Sequence, residues 1–251
     1  MNPREILTLP PPPADARIAY GSAPRQFAEI RATAGLKDPQ PVVIALHGGF
    51  WRNQFNLAYM GHLCEALKKS GIATWNLEYR SLGDDGGGWP GTFDDVVAGA
   101  AFLKNVAGPY RLDLNRTLAL GHSAGGQLAL WLAGKRKLQG VIGLGAVADL
   151  RRAQEMQLGN RVVDLLHAPP SADPMQCLPL RTSQRLFTGK DDDIVPAAIG
   201  RGYVEEAQKK GDDAKLIELQ GGHFEPVDPR TPQWARVAQE VADLLASSAP
   251  H

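Results

Sequence analysis

Residues 118–133 read LALGHSAGGQLALWLA: an apolar run, a glycine-bracketed serine, then a second apolar run with helical spacing. Gly121-His122-Ser123-Ala124-Gly125 is a G-x-S-x-G pattern in a strand-turn-helix setting. Glycines at 121 and 125 permit a turn so tight that a Cβ at either position would strike the neighbouring strand or helix, and that turn lifts Ser123 out of the sheet. Alone, the pentapeptide is a weak signal, because a serine N-cap beside helix-packing glycines has the same spelling. The ends of the other strands give it weight.

From residue 42 onward, short apolar runs alternate with longer stretches of helical period. The runs are Val42 to Leu46, Ile72 to Leu77, Thr117 to Leu120, Val141 to Leu144, Leu186 to Thr188 and Leu216 to Leu219. The helices fall at about Asn56 to Lys69, Thr92 to Val106, Ala124 to Ala133, Ala197 to Lys210 and Thr231 to Leu245, four of them stopped by a nearby glycine. This alternation predicts an α/β fold, a mostly parallel central sheet with helices on both faces. Pro10 to Pro13 form a stiff extended lead-in, and no linker, charge block or repeat divides the chain, so residues 1–251 are read as a single domain. Ala148 to Gln184, punctuated by Pro169, Pro170, Pro174 and Pro179, does not fit a regular βα unit and is a candidate lid insert at about 148–184.

Composition narrows the function. The 251 residues are 43% hydrophobic and 22% charged, the balance of a folded domain. Lys+Arg 27 cancels Asp+Glu 27, so no excess of positive charge points to nucleic acid or an anionic membrane surface. The longest apolar stretches, such as Val96 to Leu103, fall short of the roughly 18 to 20 residues that span a bilayer. The N-terminus lacks an apolar signal region, so a cytoplasmic location is expected. Cys64 and Cys177 have neither disulfide-framework nor metal-ligand spacing and are read as inert thiols.

In an open parallel sheet the residues just beyond the carboxyl ends of the strands meet the ligand. A serine hydroxyl there needs a base, and the base needs a group that fixes its tautomer. His223, in Gly221-Gly222-His223-Phe224 after the last strand, is the candidate base. His122 is adjacent to the serine and points elsewhere, with a packing or loop-bonding role; His62, His167 and His251 have structural or solvated ones. The acid belongs in Lys190-Asp191-Asp192-Asp193. Asp192 is preferred, three residues past Gly189 and four before Pro196, with Asp191 and Asp193 left to solvent or to helix capping; Asp149 is a weaker candidate. His47-Gly48-Gly49-Phe50-Trp51 follows Val42 to Leu46, and the amides of Gly49, Phe50 and Ala124 are the candidate oxyanion donors, with His47 anchoring their loop. Trp51, Trp89 and Phe224 are candidate substrate-binding aromatics, and Gly86 to Gly88 read as a mobile loop able to bring Trp89 over the substrate.

The order Ser123, Asp192, His223, the GHSAGG turn and the HGGFW loop resemble the α/β-hydrolase family. HGGFW is similar to the subgroup holding kynurenine formamidase and bacterial feruloyl-esterase-like carboxylesterases. Tyr20-Gly21, Glu78-Tyr79-Arg80 and Trp89-Pro90-Gly91 also look like its patterns, over roughly residues 18 to 225. The resemblance implies a serine hydrolase with no metal or organic cofactor. Its expected substrate is a small-molecule carboxylic ester, small or aromatic, cleaved through an acyl-enzyme; the alternatives are arylformamidase activity on an aryl amide, N-formylkynurenine, and a non-catalytic receptor on the same fold. Oligomeric state is not legible.

Overall fold

Val43 and Ala45 belong to one buried apolar cluster while Val42, Ile44 and Leu46 belong to another, the period-two signature of a strand covered on both faces. That strand, β3 (Gln40–Leu46), is in the interior of the sheet. In the computed structural model, which describes residues 2–247, eight strands form one sheet. The others are β1 (Ala16–Ala19), β2 (Phe27–Arg31), β4 (Ala73–Leu77), β5 (Leu112–His122), β6 (Gly140–Leu144), β7 (Ser183–Gly189) and β8 (Ala214–Leu219). Their order is β1-β2-β4-β3-β5-β6-β7-β8; β2 is antiparallel to both its neighbours, and every other pairing is parallel.

Helices cover both faces. On one, α2 (Gly91–Val106), α3 (Ala124–Ala133) and α7 (Ala197–Lys209) bury Phe93, Leu128 and Tyr203. On the other, α1 (Met60–Lys69) and α8 (Gln233–Ala246) bury Leu63 and Val241. The chain leaves β3 toward β4 on one side and later returns to place β5 on the other. The loops after β3 and β5 therefore diverge and open a crevice at the carboxyl ends of the two central strands.

The predicted parallel strands and flanking helices are present, with ends shifted by a few residues. The edge pair β1 and β2 was not predicted. Its strands are four and five residues long, half-buried, and carry Arg17 and Glu29, which pair at 2.8 Å. The insert folds as α4 (Leu150–Glu155), α5 (Leu158–Leu165) and α6 (Pro174–Cys177), with Gly159 to Arg161 in the left-handed region. No helix among the described residues is long and apolar enough to cross a membrane.

Ile44, fully buried in β3, tests how tightly this core is packed. Ile44→Ala should lower unfolding free energy by about 2–5 kcal/mol and Ile44→Val by about 0.5–1.5, read from urea denaturation midpoints at unchanged slope.

Candidate active site

Ser123 has φ 57° and ψ −120°, left-handed backbone at the junction of β5 and α3. Such a conformation costs about 1–3 kcal/mol and persists only where the surroundings enforce it. Here the Ser123 amide donates to Leu144 O (2.8 Å), and its carbonyl accepts from Gly126 and Val147 (3.0 and 3.2 Å). The flanking glycines are sterically required: a Cβ on Gly121 would lie 2.0 Å from Gly125 O, and one on Gly125 would lie 2.2 Å from Leu46 O.

Ser123 and His223 line one cavity of about 240 Å3, together with Gly49, Phe50, Phe55, Tyr59, His122, Ile194, Phe224, Arg4 and Leu7. His223 Nδ1 and Asp192 Oδ2 are 2.7 Å apart, and both side chains are almost completely buried. A carboxylate in that position fixes the imidazole with its proton on Nδ1 and leaves Nε2 as the basic nitrogen. Among the described residues no direct bond joins Ser123 Oγ to His223; the two side chains share the cavity wall. Asp192 Oδ1 accepts the amides of Ile194 and Val195 (2.9 and 2.8 Å), which locks its orientation. Its rivals have other work. Asp191 is exposed, Asp193 binds Arg4 instead of capping α7, and Asp149 caps α4 through the Arg152 amide (2.8 Å).

Gly49, Phe50 and Trp51 all have positive φ, so the loop after β3 is coiled tightly. Among the described residues, the amides of Gly49, Phe50 and Ala124 donate to no acceptor within the chain. His47 holds the loop from behind, with its ring stacked on Tyr79 (4.3 Å), Nδ1 2.8 Å from Gly48 O and Nε2 3.0 Å from Glu78 Oε1. Burial would raise the Glu78 pKa, but His47, the Leu57 amide and Arg25 outweigh it and hold the carboxyl below its ordinary range.

His122 and Tyr59 form a second connection. A carbonyl only accepts, so His122 Nε2 must donate to His223 O (3.0 Å), leaving Nδ1 to accept from the Tyr59 hydroxyl (2.8 Å). The same hydroxyl oxygen accepts the Gly48 amide (2.6 Å). The loop after β3 is thereby tied, through two side chains, to the backbone of His223. Burial, with a smaller repulsion from His223, pushes the His122 pKa well below the usual imidazole value.

The three aromatics separate. Phe224 lines the cavity, whereas Trp51 and Trp89 do not. Trp51 is 1% exposed because its left-handed backbone turns the ring into the core, where Nε1 donates to Gln127 Oε1 (3.1 Å). Trp89 packs edge-on against Phe93 (5.0 Å), and its amide donates to Leu166 O (3.2 Å). Gly86 to Gly88 do not line the cavity, and a Cβ on Gly87 would lie 1.8 Å from Ser81 O, so close backbone packing requires a glycine there. The insert does not line the Ser123 cavity; it walls a separate one that includes His167 and Asp173, and Gly159 packs on the Phe50 ring. His62 contacts Leu9 O at 3.5 Å, and His251 lies outside the described residues. Tyr59, Phe55, Ile194, Arg4 and Leu7 had no sequence signal beyond residue type. Among the described residues no group of three or more His, Cys, Asp or Glu is arranged to hold a metal ion.

A family model described as BD-FAE matches residues 29–165, which include the loop after β3 and the Ser123 turn. No curated protein matches the chain in sequence. Esterase B from Lactobacillus rhamnosis superposes with a TM-score of 0.81 at 18% identity, over 97% of this chain and 89% of that one. A butyrate-bound thermophilic esterase, Est2 from Thermogutta terrifontis, gives 0.77 at 18% identity, over 93% and 94%. An acetyl ester-xyloside bifunctional hydrolase from Caldicellulosiruptor lactoaceticus gives 0.75 at 16% identity, over 94% and 97%.

The neutral state of His122 has a consequence for stability. As pH falls from 7 to 5, the unfolded chain takes up a proton at this imidazole, near pH 6.5, that the native chain refuses, so stability should drop with acidification. His122→Asn should flatten the urea-derived stability-versus-pH slope in that window by up to about 1.4 kcal/mol per pH unit. An unchanged slope would mean that the native imidazole titrates normally.

Proposed function

The chain belongs to the BD-FAE family and has the α/β-hydrolase fold, and from this we propose that it is a serine hydrolase cleaving small carboxylic esters through an acyl-enzyme. One observation carries the reading: a strained serine turn opens into the same cavity as an imidazole whose far nitrogen is held 2.7 Å from a buried carboxylate.

In this mechanism Ser123 Oγ attacks the ester carbonyl carbon while His223 Nε2 takes the hydroxyl proton. The charge on the carbonyl oxygen is met by the amides of Gly49, Phe50 and Ala124, each worth roughly 3 kcal/mol when preorganised in a site closed to water. The C–O bond to the alcohol breaks, and His223 returns the proton to the departing oxygen. Water, deprotonated by the same nitrogen, then attacks the acyl carbon; the bond to Ser123 Oγ breaks, His223 returns the proton to that oxygen, and the acid is released. Asp192 keeps its charge throughout and stabilises the imidazolium. Esters are favoured over amides because the alkoxide leaves with less help, and the Phe50, Phe55 and Phe224 rings suit an aromatic or short aliphatic group.

Steady-state kinetics with p-nitrophenyl acetate and butyrate test this directly. Ser123→Ala should lower kcat by about 10^4-fold or more and Asp192→Asn by about 10^4-fold. A fluorophosphonate should label the wild-type protein and not Ser123→Ala. Faster turnover of N-formylkynurenine than of either ester would move the assignment to formamide hydrolysis. Absence of both labelling and turnover would leave a binding protein.

A further inference from the structure

The N-terminal segment meets the cavity from outside the region that carries the hydrolase motifs. A 3-10 turn over Pro3–Leu7 begins with the Asn2 side chain accepting the Arg4 amide (3.1 Å), and it buries Ile6 completely in the cluster shared with Tyr59, Met60 and Val227. The following prolines run along α1. Arg31, itself buried, donates to Pro12 O at 2.7 Å, and Pro11 lies where a Cβ on Gly61 would come within 2.8 Å. Anchored at both ends, the segment is a built wall of the cavity, and Arg4 and Leu7 are the residues it contributes.

The chemistry of that wall is specific. Apart from its two histidines and the Tyr59 phenol, the cavity lining holds one ionisable side chain, Arg4. Its guanidinium is already engaged by both carboxylate oxygens of Asp193, at 3.0 and 2.8 Å. Both contacts come from the one nitrogen Nη2, in an ion pair whose side chains are 56% and 68% exposed, so Asp193 balances the Arg4 charge at the mouth of the cavity. Apart from Ser123, Tyr59 and the histidines, the remaining side chains at the walls are apolar, namely Leu7, Phe50, Phe55, Ile194 and Phe224. Leu7 is 39% exposed and so stands at the mouth, where it sets how far an entering chain extends before it meets protein.

We propose that Arg4 and Leu7 are specificity-determining residues that restrict this site to esters whose cavity-bound group is uncharged, apolar and of limited length. The inference rests on the ester-hydrolase reading above. It implies that a carboxylate-bearing group must compete with Asp193 for Arg4 and lose its hydration beside phenyl rings, whereas an aliphatic or aryl group meets no such cost.

The test compares kcat/KM ratios across p-nitrophenyl acetate, hexanoate and octanoate and the mono-p-nitrophenyl ester of adipic acid. Leu7→Ala should raise the octanoate-to-acetate ratio about tenfold, and Leu7→Trp should lower it about tenfold. Wild-type protein should favour hexanoate over the equally long, anionic adipate monoester by about tenfold or more. Asp193→Asn, which releases Arg4, should narrow that gap by about threefold to fivefold. If the wild-type protein hydrolyses these esters but the ratios are unmoved in all three variants, this inference is wrong and the hydrolase reading stands. If it hydrolyses none of them, both fail together.

Discussion

Every feature of the site is arranged around a backbone that holds Ser123 in the left-handed region. A β5–α3 junction free to relax would choose ordinary dihedrals and swing the serine away from the rim. It is prevented from doing so by burial on all sides: every residue of α3 is buried, Gly125 sits against the Leu46 and His47 carbonyls, and the Ser123 amide is tied to β6 through Leu144. The strain is small beside what the helix and central strands gain by packing. A costly geometry is thus kept at the part of the fold best able to hold it, and for the proposed reaction a side chain so placed need not search for its position.

The rim behaves as one unit because loops from different strands are bonded to one another and not merely adjacent. Glu78, just after β4, holds His47 and the Leu57 amide; Tyr59 receives Gly48 and is received by His122; and His122 reaches the backbone of His223 beyond β8. Space matters as much as bonding. Gly145, following β6, faces the imidazole so closely that a Cβ there would lie 2.8 Å from His223 Nδ1 and 3.2 Å from Asp192 Oδ2.

How much of this can be read from the chain alone depends on whether the signal is local. The interior parallel strands are legible because burial on both faces forces continuous apolar runs, as in Val42 to Leu46. The edge strand β1 and its neighbour β2 are not, since a short strand with one half-exposed face accepts Arg17 and Glu29 and loses contrast with a loop. The spacing in Lys190 to Pro196 pointed to Asp192, the aspartate whose carboxylate meets His223, because a tight turn after a strand allows few positions to face inward. Trp51 and Trp89 show the converse. Proximity in sequence to a glycine loop cannot say on which side of the backbone a ring falls, and a positive φ at Trp51 sends it into the core. Arg4 and Asp193, separated by 189 positions, carry no mark in the sequence that they meet.

The rings of His122 and His223 lie 4.5 Å apart, yet they are not interchangeable. One has both nitrogens committed, to a hydroxyl on one side and a carbonyl on the other; the second keeps a nitrogen for the cavity. In the proposed cycle, a proton lifted from the serine therefore has a single basic atom on which to rest and no sideways exit through the neighbouring imidazole. Proton traffic at this rim is single-file, and the positive charge that arrives on one ring meets a neutral partner.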